Sequence, residues 1–109
     1  MGLEAKNDAL IDDIEEFLDY LRMHRYASIH TVAAYRNDLL QARNIFMSFK
    51  LESWKDLKPE HMDRYLVSLG PPIAQSTAQR RMSSLRTFLK QLKRQGRGPA
   101  MELPRSTGF

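Results

Sequence analysis

Apolar residues recur at alternating steps of three and four along four stretches of this chain, a period that α-helices satisfy and strands do not. In the longest stretch, Val32, Tyr35, Leu39, Ala42, Phe46 and Phe49 draw one stripe down a helix of about five turns. Ser28 stands before it as an N-cap, after a break at Tyr26 and Ala27. An earlier stripe of Leu10, Ile14, Phe17, Leu18 and Leu21 lies between Asp8, a natural N-cap, and Arg25. A short third helix begins at Pro59, turns Met62, Tyr65, Leu66 and Leu69 inward, and is stopped by Gly70-Pro71-Pro72. The fourth opens at Ser76, carries Ala78, Met82, Leu85, Leu89 and Leu92 with Phe88 at the edge, and closes at Gly96. Leu51, Trp54 and Leu57 fall between helices two and three, where they tuck under the core. The predicted fold is all-α: a single compact domain of four helices over residues 1–96. Residues 97–109, rich in Gly and Pro and without periodicity, read as the start of a linker or as a frayed tail, disordered or extended.

Composition narrows the function classes. At 109 residues and 42% hydrophobic, the chain suits one modest core and not a disordered segment. Without cysteine it has neither disulfides nor thiolate metal sites. It lacks an apolar run of about 18 residues and a signal-peptide pattern, so a cytoplasmic protein with no membrane contact is expected. The net charge of +4 matters less than its distribution. The first 21 residues hold Glu4, Asp8, Asp12, Asp13, Glu15, Glu16 and Asp19 against Lys6 alone. Beyond Pro72, Arg80, Arg81, Arg86, Lys90, Lys93, Arg94, Arg97 and Arg105 stand against Glu102 alone. Such a dipolar chain points to a polyanion partner, or to opposite faces that neutralise one another within the fold.

Two polar stripes remain once the apolar ones are assigned. On helix four, Thr77, Arg80, Ser84, Thr87 and Gln91 recur at helical spacing, with Ser76 and Ser83 nearby. Hydroxyls cost helix propensity where Glu and Lys would not, which suggests another use. Small side chains let a helix approach a duplex, and their hydroxyls serve phosphates or base edges. Arg80 suits a guanine edge or a phosphate; Arg81 is expected to lie along the core and pair with an acid, and Arg86 either to do the same or to reach the DNA backbone. On helix two, His30, Ala34, Asn37, Gln41 and Asn44 form an uncharged stripe, with Thr31 in the first turn as a phosphate contact. A merely solvated helix face is the alternative reading of each. Catalytic residues are not expected: His24, His30 and His61 lack metal-ligand spacing, and Tyr20, Tyr35 and Tyr65 fit packing positions. No cofactor is expected either.

Three stretches resemble the N-terminal core-binding domain of tyrosine recombinases, the phage-integrase and Xer group. Phe17-Leu18-Asp19-Tyr20-Leu21, Ser28-Ile29-His30-Thr31 and Tyr35-Arg36-Asn37-Asp38-Leu39 match the Phe-x-x-Tyr-Leu, Ser-x-x-Thr and Tyr-x-x-Asp-Leu pattern. Trp54 through Leu69, with Asp63, Tyr65 and Leu66, is similar to its short helix. Ser76 through Phe88 follows Ser-x-x-x-Arg-x-Leu-Ser-x-Leu-Arg-x-Phe, with Met82 in place of Leu. The resemblance spans roughly residues 10 to 104 and implies a SAM-like helical domain that clamps one face of double-stranded DNA. It places His30, Thr31, Ala34 and Asn37 of helix two, and Ser76, Thr77, Arg80 and Ser84 of helix four, against adjacent major-groove surface. Gln41, Arg86 and Thr87 extend that DNA-binding set. The family's arginines, histidine and nucleophilic tyrosine lie in a catalytic domain with no counterpart here, so no cutting by this chain is expected.

The resemblance also implies contacts with other recombinase protomers on DNA, for which the acidic first helix is a candidate, while the isolated domain is expected to be a monomer. Two other readings stay open. One is a helical protein-interaction module whose basic helix meets an acidic protein; the other is a stand-alone regulator that occupies DNA sites without cutting.

Overall fold

A computed structural model describes residues 8–103. Asp8 caps the first helix, α1 (Ala9–His24), accepting the Ile11 amide at 3.1 Å. Arg22 and His24 sit in its last turn, where they complement the helix dipole. Ser28 caps α2 (Ile29–Met47) by accepting the Thr31 amide at 3.1 Å. Helix α3 (Pro59–Ser68) follows a 3-10 turn at Trp54–Asp56, and α4 (Gln75–Arg94) closes the order. Helix α4 begins before the expected Ser76: its N-cap position is Ala74, with no side-chain cap.

The core lies between the helices. Leu10, Ile14 and Leu18 of α1, Leu39, Ala42 and Phe46 of α2, Met62 and Tyr65 of α3, and Leu85, Phe88 and Leu89 of α4 are all buried. Trp54 fills the centre. Its ring meets Phe46 and Phe88 edge-on at 5.8 and 5.1 Å, and its indole N–H finds a backbone acceptor, as a buried polar handle must. Helix α2 is the hub, packed against α1, α3 and α4.

Three helices end on left-handed residues, the first being Tyr26 (φ 53°) just after α1. At the end of α4, Gly96 (φ 73°) lets the Arg97 amide reach the Leu92 carbonyl at 2.9 Å and its own amide reach Lys93 at 3.0 Å. After α2, Lys50 (φ 65°) does the same without being glycine: Leu51 bonds to Phe46 at 3.2 Å and Lys50 to Met47 at 2.8 Å.

Residues 97–103 have no regular secondary structure, yet they are not frayed. Arg97 grips two carboxylates of α1, Asp13 and Glu16, both at 2.6 Å. Lys93 Nζ donates to the Met101 carbonyl at 3.0 Å, Pro99 is buried, and Met101 and Leu103 pack on the core. The rest of the expected tail, residues 104–109, lies outside the described residues.

Candidate nucleic-acid interface

The acidic start and the basic end of the chain partly neutralise one another. Asp8 pairs with Arg43, Glu15 with Arg36, and Asp13 and Glu16 with Arg97. Most of the acidic face proposed from sequence for contact with other protomers is thus engaged inside the domain. Burial alone would raise the Asp8 carboxyl, but the Arg43 hydrogen bond, the Ile11 amide and the Arg43 charge outweigh it and hold it below its ordinary value.

The surplus of positive charge is on α4. Among the described residues, Arg81, Arg86, Lys90 and Arg94 join no ion pair. For Arg81 this departs from expectation: it is half-buried, and its Nε, like that of Arg86, is buried without a hydrogen-bond partner among the described residues.

On α2 the polar stripe lies where the period put it. His30, Thr31, Ala34, Asn37 and Asn44 are exposed and Gln41 is half-exposed. Thr31 accepts the Ser28 hydroxyl at 3.1 Å, and Asn44 accepts from Arg43 at 2.9 Å.

On α4 the expected stripe is rotated. Ser76 and Arg80 are exposed, Thr77, Arg86, Thr87 and Gln91 are half-buried, and Ser84 is only 6% exposed. Ser84 sits one turn before Phe88 and so shares the inward side of the helix. The outward face instead carries Ser76, Gln79, Arg80, Ser83, Lys90 and Arg94. Gln79 and Ser83 share this outward face at helical spacing from Ser76; of the two, the sequence reading set only Ser83 beside the stripe.

What turns Ser84 inward is Asp38 of α2. This carboxylate is 1% exposed and takes three hydrogen bonds. Arg80 donates from Nε to Oδ2 at 3.0 Å and from Nη2 to Oδ1 at 2.7 Å, and the Ser84 hydroxyl donates to Oδ2 at 2.9 Å. The hydrogen bonds and charge of Asp38 raise the pKa of Arg80 further. Tyr65 lies close enough for burial and the Asp38 charge to push its hydroxyl up, with Arg81 easing the effect. The node joins α2 to α4.

Among the described residues no group of three His, Asp or Glu side chains could hold a metal. His61 is used structurally: its Nδ1 accepts the Lys58 amide at 3.0 Å at the start of α3. No described helix is long and apolar enough to cross a membrane.

Comparison with known proteins agrees with the helical reading. The chain is 35% identical over 83 residues to the tyrosine recombinase XerC of Lactobacillus leichmannii, covering 75% of the chain and 28% of that protein. It is 34% identical over 82 residues to XerC of Listeria monocytogenes, covering 74% of the chain and 27% of the relative. With XerC of Alcanivorax borkumensis it shares 32% identity over 95 residues, 86% of the chain and 30% of the relative. The chain thus spans less than a third of the length of these relatives. No solved structure gives a significant match. The family model for the phage integrase N-terminal SAM-like domain matches residues 14–96, and the chain belongs to that family.

Proposed function

We propose that this domain binds double-stranded DNA through the joined outer face of α2 and α4, as the non-catalytic half of a site-specific tyrosine recombinase. The observation that carries the reading is the join itself. The helix with the uncharged stripe, α2, is tied to an α4 whose outward face carries hydroxyls, an amide, the paired Arg80, and Lys90 and Arg94, which join no ion pair among the described residues. Small polar groups at the centre suit base edges, and the cations around them suit phosphates.

In this assignment His30, Thr31, Ala34, Asn37 and Gln41 approach the duplex from α2. Ser76, Thr77, Arg80, Arg86 and Thr87 approach it from α4, with Gln79 and Ser83 added. Ser84 acts through Asp38 instead of touching DNA. The chain by itself cuts nothing; it is a cytoplasmic DNA-gripping module, monomeric when alone, that meets other recombinase protomers on the recombination site.

A salt titration with duplex DNA tests this. If Arg81, Arg86, Lys90 and Arg94 each neutralise one phosphate, affinity falls roughly 100-fold between 50 and 200 mM salt. Folded protein that retains no duplex at low salt would end the proposal.

One observation favours contact with protein as a second role. Met23, Tyr26 and Ile29, at the turn between α1 and α2, are 69%, 87% and 84% exposed. Competition decides: a protein partner displaced by duplex DNA uses the α2–α4 face, and one that is not displaced uses another surface.

A further inference from the structure

We propose that Arg80 is the specificity-determining residue of this face, an arginine fork locked by Asp38 so that its outer edge reads a guanine. The inference rests on the DNA-binding reading above and goes further by naming the base and the residue that positions the reader.

A guanidinium has five N–H donors in one plane. Asp38 takes the side-on edge, Nε and one Nη2 hydrogen. The carboxylate is itself held by Ser84, one turn along α4 from Arg80. The plane of the fork is therefore set from two helices. Asp38 is fully enclosed, whereas the Arg80 side chain is 52% exposed. Its end-on edge, Nη1 with the remaining Nη2 hydrogen, has no hydrogen-bond partner among the described residues. Two parallel donors at that edge match O6 and N7 of guanine. Adenine offers N7 but places an amino donor where O6 would be, so the fork rejects it.

A phosphate also accepts two parallel donors, so charge decides between the two. Arg80 and Asp38 together are formally neutral, which weakens attraction to a phosphate and releases little counterion. The cations without acidic partners, such as Lys90 and Arg94, are better placed for that role. Fixing the fork also moves its loss of rotamer freedom from binding to folding, which favours a geometrically exact contact.

The test is selection of duplexes from a randomised pool by the purified chain at low salt, with folding of each variant checked by circular dichroism. Wild type is expected to enrich a guanine at one fixed position by roughly 5- to 150-fold over the other bases. Arg80→Lys keeps the charge and removes the fork, so it loses that preference while its salt slope stays unchanged. Asp38→Asn lowers the preference at the same position and leaves preferences elsewhere intact. If Asp38→Asn fails to fold, Arg80→Lys and Arg80→Ala still decide. A uniform loss over all sequences in Arg80→Ala, with a salt slope shallower by about 0.9, marks a phosphate contact and overturns the proposal. An unaltered pool marks a purely structural ion pair and overturns it too. Wild type that binds duplexes without a guanine preference also refutes it, whereas folded wild type that binds no duplex removes the DNA-binding reading itself.

Discussion

The indole N–H of Trp54 donates to the carbonyl of Leu10 at 3.1 Å, linking residues 44 apart inside the core. The bond ties the connection after α2 to the first turn of α1. Trp54→Ala is expected to cost about 3–5 kcal/mol, the range for emptying a large aromatic site. Trp54→Phe keeps a ring between Phe46 and Phe88 and loses the bond and some volume, so a smaller loss of about 1–2 kcal/mol is expected. Urea unfolding of the two variants separates the contributions.

Asp8 supplies both a cap and a charge. Its folded pKa lies below its ordinary value, so its stabilisation is present above that value and is lost as pH falls through the folded one. Asn caps as well as Asp but cannot pair with Arg43. Asp8→Asn is therefore expected to be less stable than wild type at pH 7 by up to about 1 kcal/mol. The gap should close on acidification below pH 4, as read from thermal melts across pH. A gap that widens in acid would contradict this assignment.

Lys50 occupies a backbone conformation that glycine adopts freely. It is exposed, so its side chain gives up little packing. Lys50→Gly is expected to raise stability by about 0.5–1 kcal/mol, the relief of the left-handed residue exceeding the added freedom of the unfolded chain. A rise in denaturation midpoint at unchanged m-value is the sign to look for.

Gly98 presses the terminal strap onto α4. A Cβ there would sit 2.8 Å from the Lys93 amide nitrogen and 2.9 Å from its Cα, both backbone atoms that cannot swing away. Gly98→Ala is expected to lift residues 97–103 and expose them to protease, while the helical core keeps its circular dichroism. Arg97→Ala should give the same cleavage pattern by removing the ties to Asp13 and Glu16. Equal protease resistance in both variants would mean that the strap is held elsewhere.

The helices were legible where their signals are local. Asp8 and Ser28 cap by bonding to amides three residues on, and the stripe from Val32 to Phe46 needs only the helical period. The start of α4 was misplaced by two residues because Ala74 carries no capping group, whereas Ser76 looks like one. The inward turn of Ser84 was hidden for a different reason. A serine beside an apolar stripe can face either way, and here the choice is made by Asp38, 46 residues upstream. Arg80 is exposed, as its spacing predicts, but its restraint by the same carboxylate is not visible from spacing. The strap was missed because Arg97 finds its acids 84 and 81 residues away, across the whole domain.

That strap also determines how a mechanical load travels. A pull on residues 97–103 arrives at α1 through Arg97 as well as at α4 through the peptide bond. Helix α1 is in turn tied to α2 by the Glu15–Arg36 and Asp8–Arg43 pairs as well as by the packed core, so the load has a charged route to α2 beside the apolar one. Because those ties are partly open to solvent, the charged share of that route weakens as ionic strength rises.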